Sequence, residues 1–132
     1  MKQREHELQK ACITWATLNQ GQRPALKWLH AIPNGGARHF KVAAKLKAEG
    51  VKPGVPDLFL PVARGGFHGL YIELKIGKNN PSLHQLDWLD HLAVEGYSVH
   101  VVRDDVQRFI EIVDSYLKLG PPWPIQKNPQ SA

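Results

Sequence analysis

The chain holds one cysteine, Cys12, among 132 residues. That excludes an internal disulfide and, taken alone, a thiolate metal site. Its neighbours Leu8, Ile13, Trp15 and Ala16 suggest a helix facing a core, where the thiol is an inert small hydrophobe. No apolar run approaches the roughly 18 residues needed to cross a bilayer. The stretch from Met1 to Glu7 is polar and runs into an amphipathic pattern, unlike a secretory signal, so an intracellular place of action is expected. The histidines from His30 to His100 are scattered and show no zinc-type spacing. His30 and His100 read as core or rim residues of strands. Trp15, Trp28 and Trp88 do not alternate with basic residues as a single-strand stacking platform would, and core packing is expected for all three. No internal repeat is present.

What the chain does contain fits one ordinary folded domain. Hydrophobic residues make up 42% and charged residues 22%, a balance that argues against wholesale disorder. Seventeen Lys and Arg against twelve Asp and Glu leave a formal charge of +5, which favours encounter with polyanions. The excess is concentrated from Arg38 to Lys52, where Arg38, Lys41, Lys45, Lys47 and Lys52 face the single acid Glu49. A solvated helix face accounts for such a segment equally well until a reaction centre is found beside it.

The periodicity predicts a helix over 4–18, ended by Asn19-Gln20-Gly21. Pro24 is expected to keep the next stretch non-helical, ahead of a short strand near 26–31. Pro33 to Gly36 reads as a turn. A helix over about 39–49 takes apolar contacts from Phe40, Ala43, Ala44 and Leu46, and Gly50 stops it. Pro53-Gly54-Val55-Pro56 is a stiff, bent approach to a short strand from Asp57, closed near Pro61. The clearest strand is 69–76, with Leu70, Ile72, Leu74 and Ile76 on one face and Tyr71, Glu73 and Lys75 on the other. Ser82 with Gln85 matches a capping box for a helix over 82–95, with Asn80-Pro81 as a rival start. That helix packs through Leu86, Leu89, Leu92 and Ala93. A strand over 97–102 follows, then a helix to about 118 capped by Asp104 or Asp105. The order describes a single α/β domain over 1–118 with a small mixed β-sheet flanked by helices. The proline-rich tail, 119–132, is expected to be extended and partly disordered.

One constellation carries chemistry. Pro56-Asp57 is followed after fifteen residues by Glu73-Leu74-Lys75. Residues two apart in a strand emerge on one face, roughly 6.6 Å apart at the backbone. Asp57 reaches the same patch if its strand pairs with that of Glu73. Two carboxylates with a backbone carbonyl or waters make the hard-oxygen environment that Mg2+ prefers, beside which a phosphate is polarised. Lys75 would stabilise charge at phosphorus, hold a water or serve as base. By itself, Glu-Leu-Lys is also common as an ion pair on a solvated sheet face. Gln85 has two readings as well: a partner of the capping box, or a side chain holding Lys75, a water or a phosphate oxygen.

In order and spacing the chain resembles the VRR-NUC domains of the PD-(D/E)xK nuclease superfamily, in their standalone viral and bacterial form. The matching segments are Ile32 to Gly36, Lys45 to Leu58 with its Pro56-Asp57, Tyr71 to Lys75, Ser82 to Leu89, and the Gly96 to Val99 approach to the last strand. They span residues 4 to about 116. The resemblance implies a restriction-endonuclease-like core. It makes Asp57 and Glu73 metal ligands together with the main-chain carbonyl of Leu74, and Lys75 the catalytic lysine. Gln85 becomes the polar residue of a Gln-x-x-Trp element with Trp88 as packing partner. Glu5, four before Gln9 on one helix face, would touch metal-bound water, with Glu7 as the alternative. The basic segment implies phosphate contacts from Arg38, Lys41 and Lys45, with Asn34 and the Gly35-Gly36 amides near the DNA backbone.

The function expected from this reading is a Mg2+- or Mn2+-dependent deoxyribonuclease, an endonuclease hydrolysing phosphodiester bonds in the cytoplasm of a bacterial or virus-infected cell. Pairing into a homodimer would set two sites on two strands of a four-way junction or other branched DNA. Flaps, nicks and ordinary duplex remain open as substrates. The competing class is a catalytically weak nucleic-acid-binding module of repair or replication. An intact Asp-Glu-Lys set argues against it, because two carboxylates repel DNA unless a cation neutralises them.

Overall fold

The computed structural model describes residues 2–33 and 40–121. In chain order its elements are α1 (Lys2–Leu18), a 3-10 turn (Pro24–Trp28), β1 (His30–Ala31), α2 (Phe40–Ala48), β2 (Leu58–Leu60), β3 (Leu70–Lys75), α3 (Leu83–Val94), β4 (Ser98–Arg103) and α4 (Val106–Leu117). The strands form one mixed sheet in the order β1-β2-β3-β4. The first two pairings are antiparallel and the last is parallel. A parallel neighbour needs a crossover, and α3 supplies it.

Pairing sorts the side chains into faces. Leu58 opposes Ile72, Leu60 opposes Leu70, and Leu74 lies beside Val102. These residues are buried together on one side, where α1 covers them through Leu8, Cys12 and Ala16. The four-residue spacing of that trio places it on one helical stripe. From α4 come Phe109, Ile112, Val113 and Tyr116, whose spacing likewise gives a single apolar face. Trp15 meets Phe109 edge-on at 5.9 Å between ring centres. Burial pushes the Cys12 thiol up to about 12, so it is an inert core group as its neighbours suggested. Among the described residues no helix is long and apolar enough to cross a membrane.

Several local expectations are corrected. Pro24 begins the 3-10 turn instead of preventing one, because the first helical position needs no N–H donor. The strand expected over 26–31 is therefore only His30–Ala31. Trp28 is 56% exposed and lies beside the Lys27 amine, not in the core. In α3 only Leu89 and Leu92 are buried, while Leu86 and Ala93 face solvent. In α2 Ala44 is exposed and Ala43 and Leu46 are half-buried, and no described side chain of that helix joins the core.

The bend before Asp57 has a structural cause. Gly54 takes φ of +92°, and a Cβ there would lie 2.7 Å from the carbonyl carbon of His84. The turn ahead of Asp57 is thus packed directly on the backbone beside Gln85, which only glycine permits. Gly54→Ala is expected to lower stability by about 1–3 kcal/mol, read as a drop in Tm, through combined backbone strain and contact. Unchanged stability would show that this contact is not needed to hold the two segments together.

Candidate active site

Asp57 and Glu73 meet because of strand register. With Leu58 across from Ile72, one further step puts Asp57 across from Glu73. Residues facing each other in an antiparallel pair share a face. Their carboxyl groups are close enough for the Asp57 charge to act on Glu73. The aspartate is held on two sides: its carbonyl accepts the Ile32 N–H at 2.8 Å, and its Oδ2 accepts the Leu74 N–H at 2.7 Å. β2 has not begun at Asp57, so its side chain takes the place of a backbone acceptor for β3. The Lys75 carbonyl accepts the Asp104 N–H on the β4 side at 2.9 Å. Carbonyls alternate edges along a strand, so the Leu74 carbonyl is directed to the Asp57 edge with its own N–H.

Glu73 is 1% exposed and Lys75 8%, which overturns the solvated ion-pair reading of this strand face. The start of α3 reaches Glu73. Ser82 and Gln85 form the expected capping box, with the Ser82 N–H donating to Gln85 Oε1 at 2.8 Å. The other end of the same amide, Nε2, donates to Glu73 Oε1 at 3.2 Å. The two readings of Gln85 are therefore one arrangement: capping orients the amide and so aims its N–H at the carboxylate. The rival start at Asn80-Pro81 is not used.

Glu73 Oε2 is buried with no hydrogen-bond partner. A buried carboxylate without a partner for one oxygen is costly, and it faces a second acid. Burial first, then the nearby Asp57 carboxylate, push Glu73 up to about 9. Lys75 pulls in the opposite direction and Glu5 adds a smaller push upward. The Lys75 side chain makes no hydrogen bond, and no ion pair within 4.0 Å, among the described residues. Glu5 is half-buried on α1 while Glu7 is exposed, so the first helix turns Glu5 toward the pair.

Asp57, Glu73, Lys75, Gln85 and Glu5 are thus gathered in one place. The site contains two closely opposed carboxylates, and among the described residues no three His, Cys, Asp or Glu side chains converge as a metal-holding group. Lys41 and Lys45 are exposed on α2. Asn34, Gly35, Gly36 and Arg38 lie outside the described residues. Trp88 is half-buried, with its ring edge-on to His91. The sequence reading missed the division of labour between neighbouring aspartates. Asp105 caps α4 through the Gln107 N–H, whereas Asp104 accepts the Gly77 N–H at the end of β3. The signal was present as two adjacent candidates for one cap.

The raised Glu73 sets a pH dependence with a definite sign. Below the ordinary carboxylate range both the native and the unfolded chain hold this proton. Between that range and about 9 only the native chain does, so the stability contributed by Glu73 is complete at low pH and falls as pH rises. In metal-free protein, Glu73→Gln is expected to flatten this fall and to exceed the unsubstituted protein at pH 8 by on the order of a few kcal/mol. Denaturant unfolding across pH measures the difference. Parallel pH curves for the two proteins would contradict the assignment.

Comparison with known proteins agrees with this architecture. The VRR-NUC domain family profile matches residues 2–105. A solved structure described as a VRR_NUC domain protein superimposes with a TM-score of 0.72 at 34% identity, covering 89% of this chain and 90% of that one. No curated protein matches. A profile match over most of the chain, and a relative of this identity and coverage, establish the assignment: the chain belongs to the VRR-NUC domain family, within the PD-(D/E)xK nuclease superfamily.

Proposed function

We propose that this protein is a Mg2+- or Mn2+-dependent endonuclease that hydrolyses DNA phosphodiester bonds. The observation that carries the reading is the buried, unpartnered Oε2 of Glu73, on a carboxyl group that lies beside Asp57. A buried acid beside a half-buried one, with one oxygen left without a donor, fits a hard divalent cation. The residues suited to hold it are Asp57, Glu73 and the Leu74 carbonyl. When bound, such an ion supplies neutralisation of the acid pair and Lewis-acid polarisation of a phosphate oxygen.

The protein's own groups then have defined tasks. The Leu74 N–H fixes the orientation of the Asp57 carboxylate. Gln85 holds Glu73 Oε1, which leaves Oε2 without a donor and available to a cation. Lys75 places a nearly dehydrated positive charge beside Glu73, where it stabilises negative charge gathering on a phosphoryl group or fixes the attacking water. Glu5 is positioned to accept a hydrogen bond from that water. Lys41 and Lys45, together with Arg38, Asn34, Gly35 and Gly36, are assigned to the DNA backbone. Such contacts carry no base information, so the substrate is chosen by shape. Pairing of two copies would suit a four-way junction or other branched DNA. Its place of action is assigned to the cytoplasm of a bacterial or virus-infected cell.

The test is cleavage of plasmid, duplex, nicked, flap and four-way DNA with Mg2+ or Mn2+, with products mapped. Cleavage should require the metal, and Asp57→Asn, Glu73→Ala and Lys75→Met should each lower the rate by at least about 100-fold without loss of folding. Sedimentation of the same preparation should show a dimer. DNA binding with no cleavage in either metal would instead assign a binding module with an idle centre.

A further inference from the structure

The loop after β3, Gly77 to Asn80, is held more firmly than a surface turn requires. Arg103 Nη1 donates to the Gly77 carbonyl at 2.7 Å and also to the Asn79 carbonyl. Its Nη2 donates to Asn80 Oδ1 at 3.3 Å. Asp104 Oδ1 accepts the Gly77 N–H at 2.8 Å. Asp104 has φ of +60°, the only non-glycine residue with positive φ among those described. That conformation costs energy in a residue with a side chain, and it is kept where the surroundings require it. The half-buried Arg103 spends its fork on neutral oxygens of the loop, and among the described residues it pairs with no acid.

The fixed loop displays one cation. Lys78 is exposed and makes no hydrogen bond or ion pair among the described residues. It stands three residues beyond Lys75, so its backbone lies within about 11 Å of that lysine. Such a reach covers about three phosphates of one DNA strand at 3.4 Å of axis each. We propose that Lys78, presented by the loop that Arg103 and Asp104 clamp, binds a substrate phosphate next to the scissile one. Lys78 is the contact; Arg103 and Asp104 are positioning residues acting through it. This rests on the nuclease reading and adds a phosphate site outside the basic segment around α2.

The experiment is titration of fluorescent duplex and four-way DNA over a range of salt, with Ca2+ replacing Mg2+ so that the strand survives. Lys78→Ala should weaken binding about 5- to 10-fold at low salt and reduce the log–log salt slope by about one. Lys78→Arg should restore both, and Lys118→Ala, at the far end of α4, should change neither. Arg103→Leu should weaken binding on its own but add little to Lys78→Ala, since both act on one contact. Asp104→Ala carries the same expectation and serves if Arg103→Leu does not fold. Full additivity would overturn the clamp. Unchanged affinity in Lys78→Ala, or an equal loss in Lys118→Ala, would overturn the contact while leaving the nuclease reading intact. An unsubstituted protein without salt-dependent DNA binding would overturn both.

Discussion

Like charges repel most strongly where water is excluded, and this fold sets a half-buried acid, Asp57, against a fully buried one, Glu73. Asp57 faces Glu73 because β2 and β3 share a register, and Glu73 is covered by the cap of α3. Without a counterion the pair is tolerable only if Glu73 keeps its proton, as its rise to about 9 reflects. Lys75, nearby and almost dehydrated, offsets only part of the burden. Ordinary folding would favour apolar residues at such positions. Charged groups at these positions are what the proposed cation and phosphate would require.

The surroundings serve that arrangement. Gly54 lets the turn before Asp57 rest on the His84 backbone, joining the segment bearing one acid to the helix that restrains the other. Gln85 uses both ends of its amide, one to cap the helix and one to hold Glu73. Asp104 and Arg103 fix the stretch between Lys75 and that helix. Three separate parts of the chain therefore meet without relying on long flexible side chains, as precise placement of reacting groups demands.

Much of this was legible in the amino acids. The alternation from Leu70 to Ile76 marked the central strand, and Ser82 with Gln85 marked the helix cap. Pro56-Asp57 and Glu73-Leu74-Lys75 marked the residues that converge. Burial of Glu73 and Lys75 was not legible, because alternation assigns a side chain to a face but does not say what covers it. Two charges opposite an apolar stripe looked like a solvated face until α3 was placed. The 3-10 turn at Pro24 and the exposure of Trp28 eluded pattern reading because local propensity there was weak and tertiary contacts decided the outcome. Asp104 could not be told from Asp105 by sequence, since either can cap a helix and only the geometry of β4 gives the first another partner.

If a cation completes the acid pair, binding it must expel the proton that Glu73 otherwise keeps. Calorimetric titration of Mn2+ in buffers of differing ionisation enthalpy near pH 7.5 reads that proton directly. The account predicts release of about one proton per ion bound, with both binding and release lost in Glu73→Gln. Tight Mn2+ binding with no proton release, or equal binding by Glu73→Gln, would contradict it.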